Sequence, residues 1–251
     1  MSEALRRAVQ VLDALRVDAD GSSIRDLAGR IGLPKSTVQR LLADLVEVDL
    51  AQRDPASRLY RLGPRTLALG TAYQRRLDVR AAALPHMVAL RDELDETVGL
   101  SVRAVDELLH VDQVESRSRL RAVFDVGVPL PLWSGAPSRV LLSVLDESEV
   151  RDLLSDRRAR HLQPAHPLPL ETFLEEVRAT GATGYAMASE ETLAHVATVS
   201  VPIWGPSGLA AALSVTGPVA RFGPEQMTAA LRPMRAAADS VSSALGVLDA
   251  P

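Results

Sequence analysis

The chain predicts an α+β protein in two unequal parts: a small helical unit ending in a hairpin, then a larger domain of paired strands covered by helices. Three observations carry this reading. Apolar residues recur at helical spacing near the N-terminus and give way to short alternating runs further on. The 251 residues are 47% hydrophobic and 24% charged, long for one domain and comfortable for two. Charge also divides along the chain: residues 1–80 carry 14 Arg and Lys against 10 Asp and Glu, and residues 81–251 carry 14 against 22. The net −4 therefore conceals a basic part suited to a polyanionic partner.

The first element is a helix over 4–16, where Leu5, Ala8, Val9, Leu12 and Leu15 share one face. Val17-Asp18-Ala19-Asp20-Gly21 breaks it. Ser22 or Ser23 can cap a short second helix, with Asp26 in its first turn and Ile24, Leu27, Ala28 and Ile31 as its buried stripe. Gly32-Leu33 turns the chain, and Pro34 suits the first position of a third helix, where its missing N–H is not needed. Val38, Leu41, Leu42 and Leu45 face inward on that helix. Two short helices joined by a glycine-containing turn make a helix-turn-helix. Strands at 50–53 and 59–62 follow, joined by Asp54-Pro55-Ala56-Ser57-Arg58, a sequence with turn chemistry. A hairpin directly after the third helix reads as a wing.

Residues 64–78 predict a connecting helix with an apolar stripe of Leu67, Leu69, Ala72 and Tyr73. Pro85 marks the start of a helix to about 95, entering the second domain. Alternating runs at 98–104 and 108–114, separated by Asp106-Glu107, predict a hairpin. Further strands are expected at 119–124, 184–187, 196–203 and 208–216, and helices at 136–145, 147–155, 170–180 and 224–247. The parts divide as 1–63, 64–80 and 81–251.

Several function classes drop out. Cysteine is absent, so no disulfide framework, thiolate metal site or cysteine nucleophile is possible. No run of about 18 apolar residues suits a membrane span. The start of the chain lacks the apolar stretch of a secretion signal, which makes a soluble cytoplasmic protein the expectation. His86, His110, His161, His166 and His195 show no metal-ligand spacing. His110 lies on a strand beside Asp112, where a structural role is the simpler reading. No nucleophile elbow or phosphate-binding loop is present, and Ser134 and Ser207 are loop serines without a base nearby in sequence. The expectation is no catalytic residue, no metal and no cofactor.

The most specific segment is Gly32-Leu33-Pro34-Lys35-Ser36-Thr37-Val38-Gln39-Arg40-Leu41-Leu42. It resembles the recognition helix of the IclR family of bacterial transcriptional regulators. The likeness continues through Arg53-Asp54-Pro55, Tyr60-Arg61-Leu62-Gly63-Pro64, Asp112-Gln113-Val114-Glu115-Ser116, Leu130-Pro131-Leu132, Gly184-Tyr185-Ala186 and Ala211 through Arg221. The resemblance implies a winged helix-turn-helix, a linker helix and a GAF-like effector-binding domain, acting as a homodimer or homotetramer on double-stranded DNA. A DNA-binding scaffold whose second domain only oligomerises is the alternative.

The residues support the DNA reading in their own right. The first half of the third helix is basic and donor-rich, whereas the second half carries Asp44 and Glu47. Gln39 suits adenine, Arg40 suits guanine, and Thr37 can bond a base or touch a thymine methyl. Lys35 and Ser36 suit phosphates near the positive end of the helix dipole. Arg58 at the wing tip suits the minor groove or the backbone, and equally a solvated turn.

The resemblance also implies an effector pocket at Leu130, Leu132, Ala136, Pro137, Ala188, Val196, Thr198, Ser214 and Thr216. Strand periodicity puts Ser214 and Thr216 on one face. This chain departs from the family pattern with Trp133-Ser134-Gly135-Ala136-Pro137-Ser138-Arg139 where a small-residue run precedes Gly-Lys-Ala. It also has Ala188 and Ser189 where acidic residues are common, so a polar acceptor is expected to be missing from that wall. The implied ligand is an aromatic or branched organic acid, larger and less polar than a two- or three-carbon oxoacid. A near-palindromic operator is the implied DNA target.

Overall fold

The computed structural model describes residues 3–18, 20–75, 78–155 and 168–247. The chain divides into two compact units, Met1–Arg76 and Leu77–Pro251.

In the first unit, α1 (Glu3–Arg16), α2 (Ile24–Ile31) and α3 (Lys35–Glu47) enclose one core. Val11, Ala14 and Leu15 meet Leu27 and Ala28 of α2 and the expected stripe Val38, Leu41, Leu42 and Leu45 of α3. Ser23 caps α2, its Oγ accepting from the Asp26 N–H at 3.2 Å. Gly32 ends that helix at φ 68°, a left-handed position that glycine adopts without a Cβ penalty. Pro34 sits one residue earlier than expected, at the N-cap of α3, where its carbonyl accepts from Thr37 and Val38. The wing consists of β1 (Ala51–Arg53) and β2 (Tyr60–Leu62), with Arg53 opposite Tyr60. Asp54 Oδ1 accepts from the Ala56 and Ser57 N–H groups at 2.9 and 2.7 Å and so shapes the turn. Ser22 and Tyr60 exchange two backbone bonds of 2.9 Å, tying the chain before α2 to the wing. The connecting helix is α4 (Pro64–Arg75), on which Leu67, Leu69 and Ala72 are exposed; the side chain of Tyr73 lies outside the described residues.

The second unit runs α5 (Asp78–Leu94), β3 (Thr97–Ala104), β4 (Glu107–Val114), β5 (Pro129–Pro131), α6 (Ala136–Leu142), α7 (Glu147–Ser155), α8 (Leu170–Thr183), β6 (Ala186–Ser189), β7 (Val196–Gly205), β8 (Gly208–Pro218) and α9 (Pro224–Ala244). Its six strands form an antiparallel sheet in the order β5-β4-β3-β8-β7-β6. Alternation along the strands makes the two faces chemically different. Val98, Leu100, Val199, Val201, Leu213 and Val215 pack against Met87 and Leu90 of α5 and Met227 and Met234 of α9. The opposite face carries Gly99, Ser101, Thr198, Ser200, Ser214 and Thr216, with Leu108, Ala186, Ala188 and Ala212 packed toward α6 and α8.

Two expectations are corrected. Pro85 lies inside α5, which starts at Asp78. Proline there removes one helical bond, but Val79, Ala83, Met87 and Leu90 recur at helical spacing and are buried, so packing holds the helix on both sides of it. Residues 119–124 form no strand. Instead the Gln113 side-chain amide takes the place of a ladder partner: its Nε2 donates to the Phe124 carbonyl at 2.8 Å, and its Oε1 accepts from the Phe124 N–H at 2.9 Å. The Gly127 N–H donates to the His110 carbonyl at 2.8 Å, fixing the far end of this loop to β4.

Candidate functional site

The first unit presents the N-terminal half of α3 to solvent. Lys35, Ser36, Gln39 and Arg40 are exposed and Thr37 is half-buried, while Val38, Leu41, Leu42 and Leu45 hold the helix to its core. Lys35 with Gln39, and Ser36 with Arg40, are spaced four residues apart and therefore neighbour each other on adjacent rows. No carboxylate pairs with Lys35 or Arg40 among the described residues, which leaves both cations available to an incoming anion. Arg58 is exposed on the wing at φ 60°, its N–H bonded to the Asp54 carbonyl at 2.9 Å. The Asp54 turn holds this non-glycine residue in that conformation and keeps it exposed at the hairpin.

The second unit contains a cavity of about 220 Å³ on the small and polar face of its sheet. Gly99, Leu108, His110, Thr198, Ser214 and Thr216 supply strand positions, and the glycine leaves space where a side chain would stand. Leu130 and Pro137 come from β5 and the start of α6, Ala188 from β6, and Val196 from the start of β7. The loop pinned by Gln113 contributes Val123, Phe124 and Val128. Seven of the nine residues implied for the pocket thus meet around one space.

Leu132 and Ala136 do not reach it. Both are fully buried in the second core with Trp133, Val140 and Phe173. Ala136 and Val140 lie four apart on the core face of α6, which turns the next residues, Pro137 and Ser138, toward the cavity.

Ala188 lines the cavity with no acceptor of its own, but a carboxylate reaches the space from a neighbouring position. Glu191, just beyond β6, lines the cavity. Its carboxylate accepts from the Gly135 N–H at 3.3 Å and from Arg139 Nη2, while Arg139 Nη1 donates to the Met187 carbonyl at 2.6 Å. Arg139 is 1% exposed, so Glu191 faces the cavity with its charge already countered from behind. Gly135 stands at φ 82°, and a Cβ there would come within 2.7 Å of Thr192 Oγ1; glycine therefore permits both the turn and the close approach. Ser134 and Thr192 hydroxyls bond at 2.9 Å across the same junction.

The strand hydroxyls are paired across the sheet: Ser200 with Ser214 at 2.7 Å, and Thr198 with Thr216 at 3.1 Å. Each hydroxyl has one donor and two acceptor sites, so each pair leaves one O–H and further acceptor capacity toward a ligand. His110, set aside in the sequence as structural, is a cavity residue. Its Nδ1 lies 2.9 Å from Ser101 Oγ, and its ring is tilted against Phe124 with centroids 4.5 Å apart. Burial pushes its imidazole down to about 4. The β3–β4 turn falls at Val105-Asp106, one residue earlier than expected, and its register sets Ser101 opposite His110, whereas a turn at Asp106-Glu107 would have set Arg103 there. Phe124 and Glu191 had no signal in the sequence, because loops bring them to the site. Among the described residues no cluster of His, Asp or Glu is placed to hold a metal ion, and no helix is long and apolar enough to cross a membrane.

A winged helix-turn-helix with a basic, unpaired recognition half, joined in one chain to an α+β unit enclosing a ligand-sized cavity, defines a DNA-binding transcriptional regulator. Residues 4–55 match the IclR helix-turn-helix domain, and residues 71–243 match the bacterial transcriptional regulator IclR C-terminal domain. The chain belongs to the IclR family, whose members are regulators and not enzymes. It is 28% identical over 247 residues to the HTH-type transcriptional repressor AllR of Salmonella typhimurium, covering 98% of this chain and 91% of that one. An IclR transcriptional regulator from Alicyclobacillus acidocaldarius superposes with a TM-score of 0.80 at 25% identity, over 98% of this chain and all of the other. An IclR homologue from Microbacterium hydrocarbonoxydans, crystallised with 4-hydroxybenzoate, shares the fold with a TM-score of 0.79 at 24% identity, over 97% and 99% of the two chains.

Proposed function

We propose that this regulator is ligand-responsive, that it reads a near-palindromic operator in the cytoplasm as a homodimer or homotetramer, and that its second unit senses an aromatic or branched organic acid. The cavity carries the proposal. A cavity of about 150 Å³ holds one benzene ring, and this one is larger, with leucine, valine and phenylalanine around paired hydroxyls. That lining suits an apolar body with one polar end. Gln39, Arg40 and Thr37 are assigned to base edges, Lys35 and Ser36 to phosphates, and Arg58 to the groove or backbone beside the wing.

Oligomerisation follows from the size of the reading module, since one such unit buries too little surface for operator specificity and two half-sites are needed. The exposed apolar residues Leu5 and Val9 of α1 and Leu67 and Leu69 of α4 are the proposed contact. Calorimetry with benzoate, 4-hydroxybenzoate, isovalerate, pyruvate and glyoxylate tests the sensing claim. Micromolar binding of an aromatic or branched acid is expected. Tight binding of pyruvate with no response to the larger acids overturns the assignment, and silence toward all five favours a second unit that only oligomerises.

A further inference from the structure

We propose that His110 is the polar anchor of the cavity, presenting its Nε2–H as a fixed donor to an acceptor oxygen of the bound molecule. The proposal rests on the reading of this cavity as the effector site, and it names the chemical group that the site selects.

Ser101 supplies the argument. Its side chain is fully buried, and its hydroxyl has one partner among the described residues, His110 Nδ1 at 2.9 Å. A buried hydroxyl that only accepted from Nδ1–H would leave its own proton without an acceptor, which is unfavourable in a dry interior. Ser101 therefore donates, Nδ1 accepts, and the ring proton of the neutral imidazole resides on Nε2. Nε2 has no protein partner among the described residues. Phe124 braces the ring, and the Gly127 bond to the His110 carbonyl holds its backbone.

Apart from Asp125, an exposed carboxylate at the cavity, the other polar side chains around it have protein partners. Thr198 is bonded to Thr216, Ser214 to Ser200, and Ser134 to Thr192, while Glu191 is held by Arg139 and Gly135. Each hydroxyl pair keeps one O–H that can rotate, whereas the His110 ring N–H is a donor of fixed direction with no protein acceptor among the described residues. A carbonyl or carboxylate oxygen satisfies it, whereas an ammonium group in the same place meets an N–H and leaves both donors unsatisfied. The burial that keeps the ring uncharged at neutral pH makes this a selection for acceptors, with charge a secondary matter.

The test uses the full-length protein and whichever of benzoate, 4-hydroxybenzoate and isovalerate binds the wild type. His110→Leu should weaken binding tenfold or more, and His110→Gln, whose amide N–H reaches the same region, should recover most of the loss. Ser101→Ala should weaken binding with His110 still present. Nitrogen NMR of the imidazoles in the unliganded protein should show His110 as the Nε2–H tautomer, and its signal should move when the acid is added. Unchanged affinity in His110→Leu, or an Nδ1–H tautomer in the wild type, overturns the anchor and leaves the effector site standing. If His110→Leu does not fold, equal affinity of Ser101→Ala and wild type overturns it. If none of the three acids binds the wild type, the effector reading fails and the anchor fails with it.

Discussion

His110 folds with an uncharged ring at a depth where charge is costly. Its imidazole titrates at about 4 against an ordinary 6.5. Between those values the unfolded chain takes up a proton that the folded chain refuses, so stability is complete above about pH 6.5 and declines as pH falls toward 4. The whole separation corresponds to about 3 kcal/mol. His110→Gln should flatten the fall in Tm between about pH 7 and pH 4.5, and an undiminished slope would trace the acid sensitivity to other groups. On the DNA side, Arg40→Ala should cost about 1–3 kcal/mol at one operator position. Lys35→Ala should instead weaken binding to every sequence and reduce its salt dependence. Gel shifts over operator variants at two salt concentrations separate these outcomes, and an Arg40→Ala protein indistinguishable from wild type on all variants removes α3 as the reading helix. The exposed half of α3 was legible because helical spacing and residue chemistry coincide there. Leu132, in the turn before α6, and Ala136, on the face of α6 that meets the core, are buried away from the cavity, and local sequence does not reveal which side of that junction faces inward.

At the scale of elements, the loop after β4 has its backbone groups satisfied by a side chain. Two bonds from Gln113 secure Phe124, and Phe124 in turn flanks the cavity. Gln113→Ala should destabilise the second unit by about 1–3 kcal/mol, the range for leaving backbone partners unmatched. Hydrogen exchange should show the Phe124 amide losing protection while the β3–β4 ladder keeps its own; retained protection at Phe124 would mean that the loop is held by its packing. This arrangement explains why a strand was expected over 119–124, since an extended chain paired by an amide side chain has strand-like composition without a ladder. α5 shows the converse. Pro85 reads as a boundary from local preference, and the buried row from Val79 to Leu90 overrides it. The wing, by contrast, was legible in full, because Asp54 and Pro55 encode the turn locally.

For the whole molecule, basic and acidic residues are segregated between the DNA-reading part and the remainder. The first 80 residues carry a net +4 and the rest a net −8, so electrostatic attraction to DNA orients the basic part toward the duplex. Sedimentation at micromolar concentration should give a dimer or tetramer, and a Leu67→Glu, Leu69→Glu variant should shift it toward monomer. A wild-type monomer bound to a single half-site would refute the paired-site mechanism. Both parts of the architecture were readable from periodicity and charge. The cavity was readable only through family likeness, because its lining runs from Gly99 to Thr216 and no single segment contains enough of it to betray a pocket.

The two-sided sheet has a consequence for how such a regulator can be retuned. On β8, Leu213 and Val215 belong to the apolar layer under α5 and α9, and Ser214 and Thr216 line the cavity. Selection or a protein engineer can therefore exchange Ser214 and Thr216 and reshape the cavity while the apolar layer on the same strand stays intact. A library randomised at Ser214 and Thr216 alone, with Ala212 kept in its buried core, should stay rich in folded members.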